Sequence, residues 1–357
     1  MREFNRNCHP VLRNRMTRQW FAAPSVSLVF ALGFGCSSSS NSPAASNSGT
    51  QDSGTQDSGT QNPGRTSDLV GTFVVRLVAA VTDADPSLST EANTQFQGIV
   101  RDGPVNNTLV WQVDQSSGPC KLNKARAPLC DPACESNAVC VNDGVCKANP
   151  KAHSVGDVTV TGLKLSNNTA QFSVSPTMTF NYAYSGSSKL LYPPADEGSA
   201  IKLNAAGGDY TAFELSASGI SPLTFSSTGD IPLQLDQPLT LEWVAKGSAG
   251  ASTMQVQVNV NHHGGSSANI TCETEDDGAL VIPADLLTRL MNIGYSGFPQ
   301  AEFVRKSVGS ANIAPGRVEL QVLSSVSRSL TIPGLTSCTK NSDCTNGQSC
   351  LTTKQCG

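Results

Sequence analysis

The residues with the most chemistry in this chain of 357 residues are its 12 cysteines. Four of them close the chain in "CTKNSDCTNGQSCLTTKQC", Cys338, Cys344, Cys350 and Cys356, with five residues in each gap. Cys120, Cys130, Cys134, Cys140 and Cys146 form a second group, Cys272 stands alone, and Cys8 and Cys36 lie near the N-terminus. Cysteines at this density either close disulfides or hold zinc. Structural zinc sites set their ligands two to four residues apart, typically as C-x2-C twice, whereas most gaps here are five. Setting Cys8 and Cys36 aside leaves an even ten, which five disulfides require. So many cysteines without metal spacing also point to an oxidising compartment.

Other reactive groupings are few. "CETEDDG" (272–278) gathers Glu273, Glu275, Asp276 and Asp277 beside a glycine. Glu275, Asp276 and Asp277 are hard oxygen ligands that suit calcium, but the order D-x-D-x-D-G is missing. A solvated acidic turn is the ordinary reading, so no metal is expected. His262 and His263 would point to opposite faces of a strand and could share a metal only if "HHGG" is a turn. There is no G-x-S-x-G, phosphate loop, dinucleotide fingerprint or H-E-x-x-H. "SCTK" (337–340) matches S-x-x-K in form, but it lies among the C-terminal cysteines without partner motifs. No catalytic residue is assigned and no cofactor is expected. Trp111, Trp243, Tyr182, Tyr184 and Tyr210 could line a sugar-binding face. Trp243 is in phase with Leu239 and Leu241, and Tyr182 and Tyr184 with Phe180, which suits a core instead.

The elements that must position these residues are strands. "STMQVQVNVNHH" (252–263) alternates Met254, Val256, Val258 and Val260 with Gln255, Gln257, Asn259 and Asn261. A period of two is the mark of a half-buried strand. "GTFVVRLV", "NTLVWQVD", "GDVTVTGLKL", "AQFSVS", "TMTFNYAY", "LTLEWVAK" and "RVELQVL" read similarly, with Pro and Gly clusters between them. The pattern predicts an all-β fold, an antiparallel β-sandwich, either one large or two packed together, over residues 69–335. A Cys-rich insert at 120–148 grows out of it, and residues 336–357 form a second Cys-rich segment. The one helix expected is "PADLLTRLMNIG" (283–294), with Pro283 at its start, Gly294 at its end and Leu286, Leu287, Leu290 and Met291 on one face.

A C-terminal segment this short, rich in turn formers and without a hydrophobic core, cannot fold on buried area alone and needs staples. Its four cysteines allow three pairings. The interleaved Cys338–Cys350 and Cys344–Cys356 is favoured, because neighbour pairing would make two separate small loops. By spacing analogy Cys130 pairs with Cys140 and Cys134 with Cys146, which leaves Cys120–Cys272. "CVNDGVC" (140–146) resembles the middle of an epidermal-growth-factor-like module, but the full six-cysteine spacing is absent. Both groups resemble the short Cys-rich repeats of myxobacterial surface proteins.

The N-terminus reads basic, then apolar, then small. Arg13, Arg15 and Arg18 precede "WFAAPSVSLVFALGFG", which ends at Cys36. That apolar run is short for a membrane span and suits the core of a signal peptide over residues 1–35. Translation starting at Met16 would give a leader of more ordinary length. "LGFGC" (32–36) resembles a bacterial lipoprotein processing site: Gly35 fits, while Gly33 and Phe34 depart from the usual residues. The resemblance implies lipidation of Cys36 as the mature N-terminus and, with Ser37 in place of Asp, the outer membrane. Two or three acyl chains anchor stably where one does not. Residues 36–68 follow as a tether containing SGTQD, SGTQD and SGTQN (48–62). Such a sequence cannot bury a core and is expected to be disordered, spanning about 30 Å as a random coil.

The chain is 38% hydrophobic and 15% charged, with a formal net charge of −4. Removing residues 1–35, with five Arg and one Glu, leaves it at −8. An acidic chain has nothing to neutralise a phosphate backbone, so nucleic acid is not an expected partner. The reading is an exported envelope protein held to the membrane through Cys36, acting as a binding or structural module toward a protein or glycan ligand. The body resembles β-rich myxobacterial lipoproteins. The alternatives are a secreted or surface hydrolase using carboxylates and a Cys-rich inhibitor or ligand-like protein. An enzyme calls for acids such as Asp276 and Asp277 gathered in a cleft with shifted pKa values.

Overall fold

The computed structural model describes residues 68–82, 85, 87, 89–245, 250–261 and 268–357. The expected signal peptide, Cys36, the tether up to residue 67, and His262 and His263 lie outside the described residues.

The first strands are β1 (Leu69–Val78), β2 (Asn93–Val100), β3 (Val110–Ser117), β4 (Cys120–Arg126) and the hairpin β5 (Ala138–Asn142) and β6 (Val145–Ala148). There follow β7 (Val158–Thr161), β8 (Gln171–Val174), β9 (Asn181–Ala183), β10 (Ala200–Ala205), β11 (Phe213–Ser218) and β12 (Ile231–Pro232). The last are β13 (Leu239–Glu242), β14 (Thr253–Asn259), β15 (Ala268–Glu275), β16 (Ala279–Ile282), β17 (Gln300–Ile313) and β18 (Gly316–Thr331). The helix α1 (Ala284–Ile293) precedes β17.

The fold is all-β and built as a sandwich on one large sheet. Ten strands run in the order β3-β4-β15-β14-β17-β18-β1-β2-β9, with β12 pairing to β18 beside that path. One end of this sheet is faced by the four-stranded sheet β11-β10-β7-β8. Phe73, Val75, Phe96, Leu320 and Val322 meet Val158, Ile201, Leu203 and Leu215 there. The other end is covered by the β13–β16 pair and α1, where Met254, Val256, Val258, Ile270 and Phe303 meet Leu241, Trp243, Leu286 and Leu290. The alternation that marks β14 in the sequence thus delivers one face to this second core.

The large sheet is mixed. Most pairs are antiparallel, but β1 runs parallel to β18, with Phe73 beside Leu320 and Val75 beside Val322. Parallel neighbours need a long connection, and here almost the whole body separates β1 from β18. β17 and β18 form one long antiparallel hairpin, registered from Gln300–Ser329 to Ile313–Gly316. α1 starts after Pro283 and ends at Gly294, whose φ of 130° suits a residue without Cβ, and it buries Leu286, Leu287, Leu290 and Met291.

Two local readings change. The first part of the expected insert, Cys120–Arg126, is β4 within the large sheet, so the outgrowth begins after Arg126. In "TMTFNYAY", Tyr182 is buried, but Phe180 leaves the alternation and is exposed. A turn causes this: Phe180 N–H donates to the Thr177 carbonyl, and Phe180 adopts a φ of 56°.

Between the two cores the inner face of the sheet turns polar. Along β17 that face reads Ala301, Phe303, Arg305, Ser307, Gly309. Ser307 Oγ accepts from Ser218 N–H at the end of β11, and Ser324 Oγ on β18 accepts from Leu223 N–H, both at 2.9 Å. At Gly309 the two layers approach so closely that an added Cβ would lie 1.8 Å from the Ser216 carbonyl oxygen.

Candidate functional site

Arg305 occupies the centre of that polar seam, directly opposite Ser324 in the β17–β18 register. Its side chain is 0% exposed. Nε donates to Asp276 Oδ2 at 2.6 Å and Nη2 to Asp276 Oδ1 at 3.0 Å, a two-pronged carboxylate grip. Nη2 also donates to the Val244 carbonyl at 2.7 Å, and Nη1 to the carbonyls of Pro222 at 3.1 Å and Ser221 at 3.3 Å. Asp276, 4% exposed, accepts two further bonds, from Trp243 Nε1 at 2.8 Å and Ser252 Oγ at 2.7 Å. One guanidinium therefore ties β17 to the turn after β15, the end of β13 and the segment after β11.

This network uses the acid that the sequence offers for calcium or for acid catalysis. Burial pushes the Asp276 carboxyl up, but hydrogen bonds from Arg305 and Ser252, the Arg305 charge and the Trp243 bond outweigh it and hold it below its ordinary 3.8. Asp276 is thus a fixed anion facing a cation, with both oxygens engaged. Glu275, Asp276 and Asp277 do not converge on one point. Among the described residues, the only groups of three His, Cys, Asp or Glu with ligand atoms that close are cysteines: Cys130, Cys134 and Cys140, and Cys338, Cys344 and Cys356.

Those sulfurs are close because they are paired. The structure joins Cys120–Cys272, Cys130–Cys140, Cys134–Cys146, Cys338–Cys350 and Cys344–Cys356. Two interleaved disulfides in a short segment place sulfurs side by side without leaving a thiolate for a metal. Cys120 and Cys272 are directly opposed on β4 and β15 and face the second core. The outgrowth is further held by Asp143, whose Oδ1 accepts from Arg126 and from Leu129 N–H. In the C-terminal segment Asp343 Oδ2 takes Thr339 N–H, Thr339 Oγ1 and Lys340 N–H, which lowers its pKa. Ser337 of "SCTK" donates to the Gly297 carbonyl.

A second polar group is absent from the sequence reading. His153 Nδ1 lies 3.3 Å from Asp209 Oδ2, and Nε2 lies 3.6 Å from Asp102 Oδ2. Asp102 Oδ1 accepts from Lys151 N–H and Asp209 Oδ2 from Ser154 N–H, so the two acids clamp residues 151–154. Tyr210 stands against the imidazole, its hydroxyl pKa raised by burial and by Asp102 and Asp209. Beside the group is a shallow open depression lined by Asp102, Pro104, Asn106, Lys147 and Lys151. Nδ1 is within hydrogen-bond reach of Asp209, and Nε2 faces Asp102 at a longer distance, so the imidazole joins the loops that carry these two acids. These residues come from distant loops, and no local spacing announces them.

Of the aromatic residues, Trp243 and Tyr182 are core, Tyr184 and Tyr210 are half-buried against the first core, and Trp111 is 42% exposed on β3. Glu302 is the carboxylate among the described residues whose net shift is upward, raised by burial with Arg76 opposing. The signal for Arg305 was its phase: it follows Ala301 and Phe303 on the inward parity of an alternating stretch.

No family model matches the chain, and no curated protein matches it. A solved chain of a 1.5-MDa bacterial ice-binding adhesin aligns at 8% identity over 74% of this chain and 86% of its own. Its TM-score of 0.15 carries no argument about this fold.

Proposed function

We propose that this is an exported protein of the bacterial cell envelope, anchored to the outer membrane through a lipidated Cys36, whose β body is a binding or structural module. Five disulfides in a chain of this size are the observation that carries the reading, because such bonds persist only where thiols are not kept reduced. The sequence up to Cys36 then supplies both the route out and the anchor, and residues 37–67 the reach. The use of Asp276 as a structural anion supports a module over a carboxylate hydrolase. The ligand in this reading is a protein or a glycan.

Fractionation of the source cells tests it. The protein is expected in the membrane fraction, released by detergent and not by high salt. A Cys36→Ser chain is expected in the soluble envelope fraction with its disulfides intact. Recovery of the natural chain from the cytoplasm with reducible thiols would overturn the reading.

A further inference from the structure

The large sheet has two edges of different kinds. At one end β9 offers three residues. At the other, β3 offers eight, and among the described residues its one strand neighbour is β4. A long edge strand is a template for another chain unless a lysine, a proline, an inward charge or a bulge guards it. β3 has one charge, Asp114, at a bulge between Val113 and Gln115. That carboxylate is turned back into its own molecule, 3.1 Å from Lys124 and bonded to Arg289 of α1. Gln115 is likewise drawn to Asp285. The guard thus covers the second half of the strand and leaves Val110–Val113 without lysine, proline or charge.

That uncovered half is apolar. Trp111 is 42% and Val113 55% exposed. In register they stand beside Ala125 and Asn123, on the sheet face opposite the second core. High β propensity, low charge and exposed large side chains are the properties of an edge that takes up another strand.

We propose that β3 pairs antiparallel with β3 of a second copy of this chain, about a two-fold axis through Gln112. The edge is complementary to itself in that register. Trp111 falls opposite Val113 of the second copy, and Val113 opposite its Trp111. An aromatic against a β-branched residue is a favourable cross-strand pair, here made twice by symmetry. Gln112 meets its equivalent amide to amide. Asp114 falls opposite Val110, so no like charges oppose one another although the chain as a whole is acidic. The bulge at Asp114 limits the pairing to this central stretch and fixes its register.

Sedimentation velocity of the full chain with Cys36→Ser, which carries no acyl group to drive association, tests the pairing across a wide range of concentration. A concentration-dependent dimer is expected. Val113→Lys, a change on the solvated face, is expected to abolish the dimer and, at concentrations where both chains are monomeric, to leave the thermal midpoint unchanged. Gln112→Cys, on the two-fold axis, is expected to give a covalent dimer on mild oxidation. A chain that stays monomeric throughout overturns the proposal, whatever other strand the edge then takes up. So does a dimer that Val113→Lys leaves intact, or a Gln112→Cys chain that forms no covalent dimer.

Discussion

Arg305 and Asp276 form a two-pronged ion pair between the two apolar cores, with the guanidinium 0% and the carboxylate 4% exposed. Removing one partner strands the other charge without water. Arg305→Met and Asp276→Leu should each cost about 3–5 kcal/mol in urea unfolding. The double variant should cost clearly less than the sum of the two, because neither charge is then left alone. Additive losses would show that the residues act separately.

Acid should weaken the protein through the same group. Asp276 is held below 3.8, and Asp114 is lowered to about 2 by hydrogen bonds from Arg289 and Lys124. A carboxyl depressed in the folded state contributes stability above its unfolded pKa and loses it as pH falls through the folded value. The contribution of these two acids to the thermal midpoint should therefore be level above the ordinary carboxylate range and fall as pH drops from there through about 2, the Asp114 value, while Glu302, raised by burial, works in the opposite sense. Asp114→Asn should flatten part of that decline, which a pH series of melts would reveal.

Two glycines should be intolerant in different degrees. A Cβ at Gly309 would meet the Ser216 backbone oxygen at 1.8 Å, and one at Gly98 would meet the Phe73 ring at 2.1 Å. A ring can rotate, but a strand of the opposing layer cannot yield without moving its neighbours. Each alanine substitution should cost about 1–3 kcal/mol by overpacking, with Gly309→Ala the worse. Equal melting points for the two variants would contradict the close contact between β11 and β17.

Removing different disulfides should have different reach. Cys120–Cys272 spans 152 residues and lies in the core, whereas the two C-terminal bridges each span 12. Loop-closure entropy gives about 5 kcal/mol for the former and about 3 for each of the latter. Paired alanines at Cys120 and Cys272 should lower the main transition. Paired alanines at Cys344 and Cys356 should open the C-terminal segment to protease and leave the body's melt unchanged.

The parts of the fold that were legible in the sequence are those whose signal is local. Met254 to Val260 alternate, Leu286 to Met291 repeat at helical spacing, and both patterns match the buried faces. The neighbour of β1 was not legible, because an alternating strand does not say which distant strand lies beside it or in which direction. Phe180 misleads because its hydrophobicity matches Tyr182 while a tight turn rotates it outward. Arg305 carries a charge where the phase calls for an apolar residue. Only its neighbours in the folded structure, Asp276, Trp243 and four backbone and hydroxyl groups, explain it. The His153 joint depends wholly on loops that meet in space.

The most direct measurement is the intact mass of the protein extracted from membranes without reducing agent. The expected mass is that of a chain that begins at Cys36, carries acyl chains, and is ten hydrogens lighter than its fully reduced form. An unlipidated chain with free thiols would contradict both the anchor and the oxidising compartment on which the proposed function rests.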